Sequence, residues 1–472
     1  MTPDDLGTLS AFTLAGAIRN GEVSAEQAVK AALSRAEAVN PRINAILSFD
    51  TEEAIEAGRA IDAGRRQGKA PAGALLGVPL AHKDMFDRIG RIATWGAKIR
   101  AGAPATRDAT AIARLKAAGA VPFGALNMAE FAFGITGHNY QVGHCRNPHN
   151  PAHITGGSSS GSAAAVAAGV VPFALGSDTG GSIRFPSACC GIAGIRPTWG
   201  LVSRAGAMPL ASSLDTIGPL ARDVTDLALA LSLMAGSDPA DATAKAPAAD
   251  YLAALGKSPR GLKIGVDRAL LDTIDPEIAG LLREALAVLR DAGAVEVAVT
   301  LPDLQDLDRY AQLLQFAEAS AYHARWMRER PQDYSDQVRT RLEDGFAVSA
   351  VDYIQALRVR PLIIEDWLSG PFRQADVLFL PILNRSVPSI AETDVGGGKS
   401  MTAMIASLLC FTRPLAYLGM PCMVLPTARD GKALPSGFQL LGRPYAETTL
   451  LGIGHAYQAR VGVPQPVHPA AG

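Results

Sequence analysis

Two Gly/Ser loops stand close together in residues 156–194: Gly-Gly-Ser-Ser-Ser-Gly-Ser at 156–162 and Gly-Ser-Asp-Thr-Gly-Gly-Ser-Ile-Arg at 176–184. An Ala-rich helical stretch and an apolar run separate them. Glycine loses more backbone entropy on ordering than other residues, so such density is expected where a chain turns tightly or approaches a ligand. In the second loop Ser182 directly follows Gly180 and Gly181. Several backbone N–H groups can converge there on one spot, which is the geometry of an oxyanion hole. A serine hydroxyl becomes a strong nucleophile only when a base takes its proton. The candidate base is Lys83, which ends the apolar run Gly77-Val-Pro-Leu-Ala-His-Lys83. Burial at that point disfavours the ammonium and frees the amine.

Rival readings of these residues fit less well. Gly157-Ser-Ser-Ser-Gly161 satisfies G-x-S-x-G and would make Ser159 a nucleophile. That elbow should follow a strand, and the stretch before it, Asn150-Pro-Ala-His-Ile-Thr155, is a poor one; the only later histidines are His323, His455 and His468. No lysine has a serine three residues before it, and no G-x-x-x-x-G-K-[ST] occurs. His138, His144, Cys145, His149 and His153 crowd one stretch, but their spacing fits no compact zinc pattern. No metal and no cofactor is expected.

The elements that must position these groups alternate. Helical spacing predicts helices over 25–39, with Ser24 as N-cap, and over 51–65, then 109–118, 162–168, 276–292, 311–328, 350–368 and 448–459. Short apolar runs at 78–81, 120–125, 170–175, 262–266, 295–299, 377–381 and 422–426 predict buried strands. Strands alternating with helices imply an α/β fold, one large domain around a mostly parallel sheet. Its parts are a helical region over 1–70, a core over 77–218 and a C-terminal region over 219–472. The chain is 48% hydrophobic and 19% charged, with 44 basic against 45 acidic residues. That balance argues against nucleic acid or an anionic membrane as primary partner. Five cysteines without a CxxC pair, an acidic N-terminus and the absence of ~20-residue apolar segments point to the cytoplasm.

Lys83 in its apolar run, the two loops, Gly-Ile-Ala-Gly-Ile-Arg-Pro-Thr at 191–198 and Gly-Phe-Gln-Leu-Leu-Gly-Arg-Pro at 437–444 resemble the amidase signature family. The resemblance implies a mixed, mainly parallel sheet sandwiched between helices, and a triad of Lys83 as base, Ser158 as bridging serine on a cis peptide, and Ser182 as nucleophile. It implies an oxyanion hole on the N–H groups of Thr179, Gly180, Gly181 and Ser182. It also implies hydrolysis of C–N bonds in neutral amides, with anilides and carbamates, as in bacterial urethanases, admitted. Asn127, Met128, Phe131 and Phe133 correspond to one wall of the family's acyl pocket, and Phe185 and residues 207–213 add to it. Asp178 and Arg184 are either active-site groups or a structural ion pair steadying the loop. Ser159 and Ser160 either hydrogen-bond in the site or cap the helix over 162–168. The implied partner is a small-molecule amide or carbamate, and a homodimer is admitted. Two alternatives stand beside this reading: the glutaminase subunit of a tRNA-dependent amidotransferase, which needs partner subunits, and a non-catalytic amide-binding scaffold.

Overall fold

Eleven strands form one sheet in the computed structural model, which describes residues 2–69, 73–99, 102–396, 398–427 and 434–467. His468 lies outside the described residues. The strands are β1 Ile46–Phe49, β2 Pro79–Lys83, β3 Val121–Leu126, β4 Phe173–Asp178, β5 Ala193–Arg196 and β6 Thr216–Ala221. Then come β7 Lys263–Val266, β8 Val295–Ala298, β9 Val377–Pro381, β10 Cys422–Pro426 and β11 Gly437–Gly442. Their spatial order is β1-β3-β2-β4-β6-β5-β10-β11-β9-β7-β8.

The α/β architecture and the mixed sheet agree with expectation, but the balance of pairings does not. β2 pairs in parallel with β3 and β4, and β7 with β8 and β9. The other six neighbouring pairs are antiparallel. All seven apolar runs read as strands are strands. Every antiparallel pair includes one of the four that were not: β1, β5, β6 and β11. The reason is composition. β5 and β11 carry the fully buried polar residues Arg196 and Gln439, and β6 carries Gly218 and Pro219. Such residues break the hydrophobic pattern that marks a strand.

Both sheet faces are covered. Phe173 and Leu175 of β4 enter one apolar cluster while Ala174 between them enters another. In β9, Val377 and Phe379 go one way and Leu378 and Leu380 the other. This is the period of 2 that a pleated strand imposes. The helix Ser160–Ala167 packs on β4 and β6 and is buried on all sides, so its alanines set how closely it approaches the sheet. Ser24 caps Ala25–Ile43 as expected, and its reciprocal partner is Gln27. Among the described residues no helix is long and apolar enough to cross a membrane.

Candidate active site

The carboxyl ends of the parallel strands β2 and β4 deliver the first components, as is usual in open α/β sheets. Lys83 is the last residue of β2, and Ser177 and Asp178 are the last of β4. The Lys83 amine lies 2.7 Å from Ser158 Oγ and 2.9 Å from Ser177 Oγ, and it is fully buried. Burial lowers its pKa to about 7, with Asp215 and then Asp178 pulling the other way. The Gly157–Ser158 peptide bond is cis. The two Gly/Ser loops touch directly: the Ser159 N–H donates to the Ser182 carbonyl at 3.3 Å.

Asp178 organises the second loop from within. Its carboxylate accepts from the N–H groups of Gly181 at 2.8 Å, Ile183 at 3.2 Å and Arg184 at 3.3 Å. Arg184 and Arg196 both ion-pair with it, at 3.0 and 3.1 Å, and all three side chains are completely buried. Burial alone would raise the Asp178 pKa, but the two guanidinium groups outweigh it and hold the carboxyl well below the usual range. Arg184 reaches on to Gln439 Oε1 and the Thr412 carbonyl. Asp178 and Arg184 thus form a buried ion pair, extended by Arg196, that braces the loop from within. Gly181 has φ +136°, and a Cβ there would lie 2.6 Å from Thr412 Cβ. Only glycine fits.

This network separates the four N–H groups expected to face an oxyanion. The Gly181 N–H already donates to Asp178. Among the described residues the N–H groups of Thr179, Gly180 and Ser182 have no protein acceptor. Ser159 is also reassigned. It precedes the helix Ser160–Ala167 but makes no side-chain cap bond; its Oγ instead donates to the Ser177 carbonyl at 3.2 Å. Ser160 Oγ donates to the Asn127 carbonyl at 3.4 Å. Both hydroxyls are buried in loop-to-strand contacts.

A narrow cleft of about 20 Å³ opens over Gly180 and Ser182. Phe133 lines it. Phe316, Ile405 and Leu409 make an apolar wall that was not foreseen, and Arg341 and Arg413 are its two cations. The Arg341 guanidinium stacks over the Phe133 ring at 4.1 Å and donates to the Phe133 carbonyl. Arg413 is held bidentately by Asp308, at 2.7 and 2.5 Å. No carboxylate lies within 4.0 Å of Arg341 among the described residues. Its burial lowers its pKa to about 9.

The other expected pocket residues are elsewhere. Asn127 ties loops together through its Nδ2, which donates to the Asn44 and Gly143 carbonyls. Met128 and Phe185 are core residues. Phe131, at φ 52°, packs its ring on His323 and Tyr334 behind the cleft wall. Residues 207–213 contribute to a second chamber, of about 210 Å³, lined also by Ser177, Asp215 and Met85. The apolar character of Met128 and Phe131 hid that these side chains serve the core. The histidine-rich stretch disperses: His149 meets the Cys190 carbonyl and His153 the Val387 carbonyl. No group of three metal-ligating side chains occurs among the described residues, and all five cysteines are free.

The sheet and the paired Gly/Ser loops at its carboxyl edge define the class, an amidase that acts on C–N bonds. A family model described as Amidase matches residues 27–451, and this chain belongs to that family. It is 40% identical to a glutamyl-tRNA(Gln) amidotransferase subunit from Moorella thermoacetica, over 96% of this chain and 97% of that one. The peptide amidase of Stenotrophomonas maltophilia superposes with a TM-score of 0.84 at 30% identity, over 98% and 99% of the two chains. A chain from a complex tied to the origins of an s-triazine catabolic enzyme superposes at 0.89 with 34% identity, over 97% and 100%.

Proposed function

We propose that the chain cleaves the C–N bond of a carboxamide whose acyl portion ends in an anion, through an acyl-enzyme on Ser182. The observation that carries the reaction is the buried Lys83 amine 2.7 Å from Ser158 Oγ. In this reading the neutral amine draws the Ser182 proton through Ser158 as Ser182 attacks the carbonyl carbon. The N–H groups of Thr179, Gly180 and Ser182 receive the oxyanion. The relay then protonates the departing nitrogen, which an amide needs because its anion is a very poor leaving group. Water releases the acyl group by the same route.

Arg341 carries the substrate class. It is a buried cation in the cleft over Ser182 without a carboxylate of its own. Its guanidinium meets only the Phe133 and Gln337 carbonyls and the Phe133 ring, with Glu130 and Asp344 acting on it from beyond contact, and a substrate carboxylate would supply a directly paired anion in bidentate form. This reading replaces the neutral acyl end expected from the sequence. Anilides and carbamates could use the same relay, but the cleft holds nothing that singles out a urethane.

The amidotransferase reading also has support, from several relatives at 40–41% identity that are named as glutamyl-tRNA(Gln) amidotransferase subunits. Glutamine itself joins a carboxamide to a carboxylate. On that reading the chain works with partner subunits in a tRNA-dependent reaction, a setting that the even charge balance by itself argued against.

The test is ammonia release by the purified chain from succinamate, glutamine and neutral amides of equal length. Preference of about tenfold or more for the carboxylate-bearing amides is expected. Equal rates on the neutral analogues would remove the anion-binding role of Arg341, and no release from any would remove the hydrolase reading. Glutamine cleavage that appears only with added partner subunits would select the amidotransferase reading.

A further inference from the structure

Thr179 opens the loop that carries Ser182, and its own side chain is held from outside that loop. β4 and β6 run antiparallel with Asp178 opposite Thr216. The next residue on one strand and the preceding one on the other, Thr179 and Asp215, are thereby brought face to face. The Thr179 hydroxyl donates to Asp215 Oδ1 at 2.6 Å. The other carboxylate oxygen accepts from the N–H groups of Leu210 at 2.9 Å and Ala211 at 3.0 Å. Asp215 is buried and has no cation within 4.0 Å among the described residues; Arg204, on the same chamber, turns to Asp241 at 3.7 Å. Asp215 thus differs from Asp178, whose carboxylate is saturated by two guanidinium groups and three N–H groups.

We propose that Asp215 is the positioning residue of the oxyanion loop, acting through the Thr179 hydroxyl to aim the Thr179 and Gly180 N–H groups. The inference rests on the reading of Ser182 as nucleophile. A β-branched side chain has few rotamers for a given backbone, so fixing its hydroxyl also fixes the φ and ψ from which those N–H vectors follow. The two carboxylates divide the loop. Asp178 draws the Gly181, Ile183 and Arg184 N–H groups inward, whereas Asp215 engages no loop N–H and leaves those of Thr179 and Gly180 free for the substrate. A carboxylate buried with three hydrogen bonds is also a rigid anchor, since releasing it would leave a charge unsatisfied.

The test uses the full chain and a fluorophosphonate, whose phosphoryl oxygen takes the oxyanion position when Ser182 displaces fluoride. The second-order rate constant for phosphonylation of Ser182 is measured by mass spectrometry, beside thermal unfolding. Thr179→Val, which keeps the shape and removes the hydroxyl, is expected to label about 10- to 100-fold more slowly. Thr179→Ser restores the hydroxyl and is expected to label within about threefold of the parent, a rescue that a purely structural role would not produce. Asp215 also draws the Lys83 titration upward, so the double variant is compared on the alkaline plateau, where Lys83 is neutral; there Asp215→Ala in the Thr179→Val background is expected to slow labelling no further, because both changes cut one linkage. Unimpaired labelling of Thr179→Val, or a Thr179→Ser variant as slow as Thr179→Val, overturns the assignment, as does a multiplied loss in the double variant. If Asp215→Ala does not fold, the Thr179 pair still decides. Failure of the parent itself to label at Ser182 overturns the nucleophile reading, and the assignment with it. Labelling of the parent with an unaffected Thr179→Val overturns the assignment alone.

Discussion

The Lys83 amine stands 2.7 Å from the Ser158 hydroxyl, a side chain 75 residues further along the chain, and no carboxylate lies within 4.0 Å of it among the described residues. Without an adjacent anion, an enclosed lysine has its neutral form favoured. Replacement by methionine keeps most of the volume and removes the base. Lys83→Met is expected to slow turnover and fluorophosphonate labelling of Ser182 by about 10³-fold, within the range that general bases contribute. A variant within tenfold of the parent would remove the relay.

The same amine sets the pH dependence. Burial brings Lys83 to about 7, so its protonated, inactive form dominates below that pH and the free amine above it. Labelling should therefore rise with pH through about 7 and level off on the alkaline side. The neighbouring His82 has its pKa lowered to about 4, again by burial, and stays neutral throughout. A flat profile between about pH 5 and 9 would contradict the assignment of Lys83 as base.

Asp178 is the hub of the loop. Asp178→Ala leaves Arg184 and Arg196 buried without their carboxylate and frees three N–H groups. Removing one partner from a buried ion network typically costs about 3–5 kcal/mol. Urea unfolding at neutral pH measures it, and a loss below about 1 kcal/mol would show that the network is not structural.

Gly181→Ala places a side chain against Thr412 at a φ that L-residues rarely adopt. A stability loss of about 1–3 kcal/mol is expected, together with the loss of Ser182 labelling. Gly280, in the helix Pro276–Asp291, has open space where its Cβ would be. Gly280→Ala should gain about 0.4–1 kcal/mol and leave labelling unchanged. Equal behaviour of the two variants would contradict the steric account.

Arg341→Met separates binding from chemistry. For a carboxylate-bearing amide KM should rise about tenfold or more, with the rate on a neutral amide retained. A loss shared equally by both substrates would mean that Arg341 only supports the Phe133 wall.

Much of the site was legible because its signals are local. Glycine density announced the two loops, and the apolar run ending at Lys83 announced a buried strand with an ionisable end. What was not legible depends on distant pairing. Asp215 could have been noticed as a lone carboxylate entering an apolar stretch, yet nothing in the sequence links it to Thr179, 36 residues away. The cleft wall at Ile405 and Leu409 comes from the helix Lys399–Leu409, and Arg341 from Asp336–Phe346, two helices not foreseen. Asn127, Met128 and Phe185 were misplaced for a related reason. An apolar or amide side chain reads the same in the order of residues whether it faces a cleft or the core.

The amino-acid order by itself determined where the chain must turn, which runs must be buried and which hydroxyls and amine are offered for the proposed relay. Tertiary structure decided which backbone N–H groups remain available to a substrate. Gly180 and Gly181 are indistinguishable as letters, but Asp178 takes the N–H of one and leaves that of the other free. The physical reason is that a hydrogen-bond donor's partner is set by strand register and loop curvature, and both are properties of the assembled sheet.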